Sequence, residues 1–168
     1  MATRIGIGLL GLGTVGAGVA SILTSPEGRH PLIAELDLVR VAVRDLNRSR
    51  PVAIPQERLT TDPEAVVDDP GVQVVVEVMG GIEPARTLIM RAIAAGKSVV
   101  TANKAVIARH GEEIASAAAA AGVYVLIEAA VGGGIPIIEP LKQSLGSNRI
   151  NRVSGIINGT TNYILSRM

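Results

Sequence analysis

Cysteine, tryptophan and phenylalanine are missing from this 168-residue chain, and tyrosine occurs only twice. Without cysteine there is no disulfide and no thiolate-held metal, which suits a reducing compartment such as the cytoplasm. With so few aromatic side chains there is no stacking platform for single-stranded nucleic acid. A net charge of +1 with no basic run leaves no electrostatic footprint for a polyanion either. Long apolar runs are also missing. The composition is 48% hydrophobic, yet no stretch reaches the roughly 18 uninterrupted apolar residues of a membrane span. The opening Met1-Ala2-Thr3-Arg4 runs straight into a strand-like segment and lacks the layout of a signal peptide. These exclusions leave room for one well-cored domain with a piece of a second, and a small molecule as the expected partner rather than nucleic acid or membrane.

What is present is glycine, placed in a pattern. Ile5 to Val19 reads IGIGLLGLGTVGAGV: an apolar strand, then Gly11-Leu12-Gly13-Thr14-Val15-Gly16, then a small and apolar helix. This is the GxGxxG dinucleotide fingerprint in the strand-before, helix-after context that it requires. Gly11 is expected to permit the tight turn, Gly13 to let the backbone approach a pyrophosphate, and Gly16 to let the helix pack closely. The free N–H groups and positive dipole end of that helix would face phosphate, through Thr14 and Val15. A glycine-rich turn in an ordinary βα unit is the plainer alternative.

The rest of the chain repeats the alternation. A helix is expected over Thr14–Leu23, closed by Ser25-Pro26, and a strand over Leu36–Val43 ending at Arg44-Asp45. At that tip an acidic residue would bond the ribose of NAD, and an arginine would accept the extra phosphate of NADP. Asp45 lies farther from the fingerprint than the usual ~20 residues, and Arg48 and Arg50 follow closely, so Arg44 points to NADP, with NAD as the alternative. A solvated charged turn would also explain the cluster.

Further on come a short helix at Pro63–Val67 capped by Thr61 or Asp62, and a strand at Val72–Val78 whose β-branched run suits burial on both faces. That strand ends at a second glycine turn, Met79-Gly80-Gly81. A helix over Pro84–Ala95, a strand over Ser98–Thr101, a helix over Ala105–Ala121 and a strand over Val123–Glu128 complete the series. Strands and helices in strict alternation specify an α/β, doubly wound parallel sheet of Rossmann type, with ligands at the carboxyl ends of its strands. Gly11, Arg44, Gly80, Thr101 and Glu128 should therefore approach one crevice.

From Gly132-Gly133-Gly134 the texture changes. A helix-like stretch is expected over Ile137–Leu145 and a strand over Asn148–Ile157, then a polar turn, Asn158 to Asn162, and the start of a helix. Residues 1–131 are expected to form the coenzyme domain, and 132–168 a hinge with the start of an incomplete α+β substrate and dimerisation domain. The polypeptide is thus expected to end inside a larger architecture.

Several stretches together resemble homoserine dehydrogenase. They are the fingerprint, Val41-Ala42-Val43-Arg44-Asp45, Glu77 to Gly81, Thr101-Ala102-Asn103-Lys104, Glu128 to Ile138, and Gly155 to Ile164. The resemblance covers nearly the whole chain and its last three stretches are the specific ones. It implies an NAD(P)-dependent interconversion of homoserine and aspartate semialdehyde, on the way to threonine and methionine. It implies phosphate contacts at Thr14 and Val15, a 2′-phosphate contact at Arg44, and a lysine, Lys104, that reaches both nicotinamide and substrate. It also implies a monovalent cation, usually sodium, on the backbone oxygens of Glu128, Val131, Gly133 and Ile135. Gly159 and Thr160 would line the substrate pocket. Enzymes of this family are oligomeric and continue into a domain that supplies further acidic residues and a second lysine, so this chain alone is expected to bind coenzyme but turn over homoserine poorly.

The residue chemistry agrees with parts of that picture and leaves others open. Lys104 suits hydride transfer, since an ammonium stabilises a developing alkoxide and an amine of lowered pKa acts as a base; a surface lysine at a strand end is the alternative. Inward-turned carbonyls at Glu128–Ile135 would hold a hard ion, but a hinge would use the same glycines. A dehydrogenase for another substrate, or a non-enzymatic nucleotide sensor, shares the first domain.

Overall fold

The computed structural model describes residues 4–155 and 159–168. Six strands form one sheet, β1 (Ile5–Leu10), β2 (Leu36–Ala42), β3 (Leu59–Thr60), β4 (Val74–Glu77), β5 (Ser98–Thr101) and β6 (Val125–Leu126). They lie in the order β3-β2-β1-β4-β5-β6, and all five pairings are parallel. The doubly wound sheet expected from the alternation is present. The chain moves outward from β1 to β3 and then returns to build β4 to β6 on the other side. Its direction of winding reverses between β1 and β4, where such sheets open a crevice.

Two apolar layers form because successive strand residues face opposite ways. Leu10, Val75 and Val99 pack with α2 (Pro63–Val67), α3 (Ala85–Ala94) and α4 (Lys104–Ala121) through Val66, Leu88, Ile89 and Ile114. Ile7, Leu9 and Val76 join Ala20 of α1 (Thr14–Thr24) in the other layer. In β2 both Leu38 and Val41, three residues apart, enter this second layer. Strict alternation forbids that. The pairing supplies the reason: Ile7 aligns with Leu38 but Gly8 aligns with Arg40, so Val39 is an extra residue that resets the register.

Local chemistry fixes the helix ends. Asp62, one of the two residues expected to cap α2, accepts from the N–H groups of Glu64 and Ala65. Asn103 caps α4 by accepting from Val106 N, and Gly122 closes it in the left-handed region at φ 67°. Arg91 of α3 reaches Asp68 at 2.5 Å and Glu64 at 2.6 Å, tying α3 to both ends of α2.

Departures from expectation lie toward the C-terminus. Only Val125–Leu126 of the expected strand over 123–128 pairs, and Glu128 instead opens a short helix, α5 (Glu128–Val131). The helix-like stretch contains a π turn, Pro140–Ser144, with Leu145 N donating to Pro140 O. The strand expected at Asn148–Ile157 is not formed over 148–155, and Ile156 and Ile157 lie outside the described residues. Ile150 and Val153 are three apart, so a strand would place them on opposite faces, and both stay exposed. The expected turn at Asn158–Asn162 is in part the first turn of α6 (Gly159–Arg167), with Asn158 outside the described residues. Among the described residues none beyond Ala130 is buried, so the apolar core ends where the glycine-rich stretch begins.

Candidate functional site

The site is built on the turn between β1 and α1. Gly11 adopts φ 101°, and a Cβ there would approach the Val78 carbonyl oxygen to 3.1 Å, so the turn lies tight against the end of β4. Gly16 lies in the first turn of α1, where a Cβ would sit 2.1 Å from the Gly11 oxygen. Between them Gly13 is the N-cap, with no side-chain hydrogen bond and no acidic residue in the first turn. A Cβ on Gly13 would meet nothing within 4 Å. The first N–H groups of α1 are therefore offered to open space, and Thr14 and Val15 beside them are exposed.

A cleft of about 460 Å³ runs from this turn to the tip of β2, lined by Gly11, Gly13, Arg44, Asp45, Arg48 and Arg50 among others. The three arginines share the rim but are employed differently. Arg50 donates through Nη1 to the carbonyl oxygens of Arg48 at 2.8 Å and Leu46 at 3.3 Å, and through Nη2 to that of Asp45. Its guanidinium thus shapes the 45–48 loop from within. Asp45 accepts from Asn47 N at 2.9 Å in a tight side-chain turn. Arg44 and Arg48 are exposed, and no salt bridge among the described residues engages them.

A second cavity, about 220 Å³, lies beyond the turn and is lined by Val15, Val78, Met79, Gly80, Ala102 and Asn103. Gly80 takes φ 76° there. Thr101, expected to contact a ligand, is 1% exposed, and its hydroxyl donates to Glu77 Oε2 at 2.7 Å, so it acts within the wall. Lys104 is the first residue of α4, directly after the cavity-lining Asn103, with an exposed side chain. Glu77 was not singled out by the sequence analysis as a functional residue. The available signal was the one charge inside VQVVVEV, a strand otherwise suited to complete burial.

The residues expected to hold a cation are arranged otherwise than as a bare cage. The Glu128 carboxylate accepts the N–H groups of Ile137 at 2.5 Å, Glu139 at 2.7 Å and Ile138 at 3.0 Å. Those bonds, Ile137 first and Glu139 next, hold its carboxyl below the usual carboxylate range. Its backbone oxygen accepts from Gly132 N at 3.2 Å. Val131 and Ile135 are exposed, and Gly133 takes φ 64°. No group of three or more His, Asp or Glu side chains suited to a metal occurs among the described residues. Gly159 and Thr160 begin α6. No described helix is long and apolar enough to cross a membrane.

Comparison with known proteins adds a family to this geometry. The family model described as "Homoserine dehydrogenase, NAD binding domain" matches residues 11–128, and one described as "Homoserine dehydrogenase" matches residues 136–168. The chain is 65% identical to a homoserine dehydrogenase of Synechocystis over 162 residues, which is 96% of this chain and 37% of that protein. It is 44% identical to the Bacillus subtilis homoserine dehydrogenase, over 98% of this chain and 38% of the relative. The crystal structure of a homoserine dehydrogenase from Thiobacillus denitrificans superposes with a TM-score of 0.81 at 49% identity, covering 98% of this chain and 38% of that one. The chain thus spans somewhat over a third of the length of these three relatives. The NAD-binding match takes in most of the sequence, and the chain therefore belongs to the homoserine dehydrogenase family.

Proposed function

We propose that this chain is the coenzyme-binding part of an enzyme that interconverts L-homoserine and L-aspartate 4-semialdehyde. The observation that carries the reading is the uncapped N-terminus of α1, set at the point where the sheet reverses its winding and opening on a cleft that ends at Arg44. A Cβ at Gly16 would collide with backbone and one at Gly11 would be crowded and strained at φ 101°, whereas the space over Gly13 is free, so the turn leaves room for a pyrophosphate. The residues fit the coenzyme. When bound, the coenzyme would supply the hydride chemistry that interconverts the alcohol and the aldehyde.

Within this reading the chain binds and orients. The N–H groups at Thr14 and Val15 and the turn glycines hold the phosphates, with Gly80 bordering the second cavity. Arg44 takes a 2′-phosphate, which makes NADP the preferred coenzyme over NAD. Lys104, next in the chain to the cavity-lining Asn103, stabilises charge that develops on the substrate oxygen. Gly159 and Thr160 belong to the substrate side. The backbone oxygens of Glu128, Val131, Gly133 and Ile135 would hold a monovalent cation such as sodium, with the Glu128 carboxylate fixing the segment that follows. The same reading gives residues 1–131 to the coenzyme domain and 132–168 to the hinge and start of the substrate and dimerisation domain. A cytoplasmic, homo-oligomeric enzyme of threonine and methionine biosynthesis is its biological setting.

The test is a titration of the folded chain with NADPH and NADH, followed by nicotinamide fluorescence. Saturable binding below millimolar concentration, tighter for NADPH, is the expected result. No binding of either form at millimolar levels would reduce the chain to an α/β scaffold without this function.

A further inference from the structure

Glu77 ends β4 with no solvent exposure, and none of the salt bridges among the described residues includes it. Three donors converge on its carboxylate: Met79 N at 2.8 Å, Thr101 Oγ1 at 2.7 Å and Asn103 Nδ2 at 3.4 Å. The remaining bonds of these partners fix which way each group points. Thr101 Oγ1 accepts from Asn103 N at 3.0 Å, so its one proton is directed at Glu77. Asn103 Oδ1 accepts from Val106 N at 3.2 Å, so its amide nitrogen faces Glu77 and also donates to Gly81 O at 2.7 Å. A carboxylate anion only accepts, and here it is met only by donors.

Burying a charge without a counter-ion is costly, and a glutamine would fill the same space without one. The position of the charge suggests its use. Two of its partners, Met79 and Asn103, line the second cavity, as does its chain neighbour Val78. Glu77 therefore sits one residue layer behind the wall, and through Asn103 it joins the glycine turn after β4 to the start of α4, where Lys104 is carried.

We infer that Glu77 is a positioning residue that gives the second cavity a fixed negative charge, favouring a cationic ring there over a neutral one. This rests on the coenzyme reading above, with the nicotinamide ring in the second cavity, across the glycine turn from the Arg44 cleft; the ring is positively charged when oxidised and neutral when reduced. Glu77 thereby holds the oxidised coenzyme more tightly than the same wall without its charge would. At an effective dielectric constant of about 20, which serves for buried sites too, one charge across such a layer changes a binding ratio several-fold or more.

The experiment measures dissociation constants of the oxidised and reduced forms of whichever coenzyme binds more tightly, on the full 168-residue chain. Glu77→Gln is expected to weaken the oxidised form roughly three-fold or more relative to the reduced form. Glu77→Asp, which keeps the charge, is expected to leave that ratio at the wild-type value even where both affinities fall. A purely structural role would move both forms by the same factor, and that result, or no change at all, overturns the inference while leaving coenzyme binding standing. Absence of binding to the wild-type chain overturns both. Should Glu77→Gln fail to fold by circular dichroism, the paired Glu77→Met, Thr101→Val replacement removes the charge together with its hydroxyl donor, and the same ratio decides.

Discussion

Two glycines of α1, a half-turn apart, should respond to alanine in opposite ways. At Gly16 the added carbon would lie 2.1 Å from the Gly11 oxygen, 2.9 Å from its carbonyl carbon and 3.3 Å from Val78 Cγ2. The first two obstacles are backbone, so the helix must move away from the turn by about an ångström. Overpacking of this kind costs about 1–3 kcal/mol, while alanine in place of glycine in a helix returns about 1 kcal/mol. An approach of 2.1 Å to backbone belongs in the upper part of that range, so the net expectation for Gly16→Ala is a loss of roughly 1–2 kcal/mol, which lowers the melting temperature by about 2–8 °C in a chain of this size. At Gly18 the same carbon meets nothing within 4 Å. Gly18→Ala therefore keeps the propensity term alone, and the melting temperature should rise by about 2–4 °C. Thermal unfolding followed by circular dichroism reads both, and a coenzyme titration separates them again: only Gly16→Ala, which displaces the Gly11 turn, should weaken binding. Equal stabilisation by both substitutions would refute the close approach of α1 to the turn.

Arg44→Ala should weaken NADPH binding on the order of ten-fold or more, as expected for loss of a hydrogen bond to a charged group, with NADH little affected. Arg50→Ala should weaken both coenzymes together, because its guanidinium holds the 45–48 loop through three carbonyl oxygens. Equal losses in the Arg44 variant would count against its phosphate role. The Glu128 clasp should depend on pH. Its folded pKa lies below the unfolded value, so its contribution is fully present above the ordinary carboxylate range and fades as the pH falls through that range toward the folded pKa. Hydrogen-exchange protection of the Ile137–Glu139 amides should drop across that acid interval, and Glu128→Gln should flatten the profile. Protection that ignores pH in the unaltered chain would show that the clasp does not hold.

Most of the fold was legible in the sequence because its signals are local. The valine-rich run within 72–78, the cap at Thr61 or Asp62, the stop at Gly122 and the glycine spacing 11-13-16 each act over a few residues, within a turn or a strand. The crevice followed as well, because strict strand–helix alternation fixes a parallel sheet and the carboxyl ends of its strands. What misled was apolar content without period: Ile150 and Val153 are β-formers, yet they cannot share one face of a strand.

Sequence by itself determined that this chain is a doubly wound α/β domain with a glycine turn between its first strand and first helix. Only the tertiary structure decided how its charges are used. Glu77 meets its partners 24 and 26 residues away, Glu128 reaches 9 to 11 residues ahead, and Arg50 turns back onto its own loop. The register reset at Val39 likewise exists only against β1. The physical reason is that periodicity and capping are properties of neighbouring residues. The worth of a charge depends on which donors the folded sheet brings to it and on how much water it keeps away.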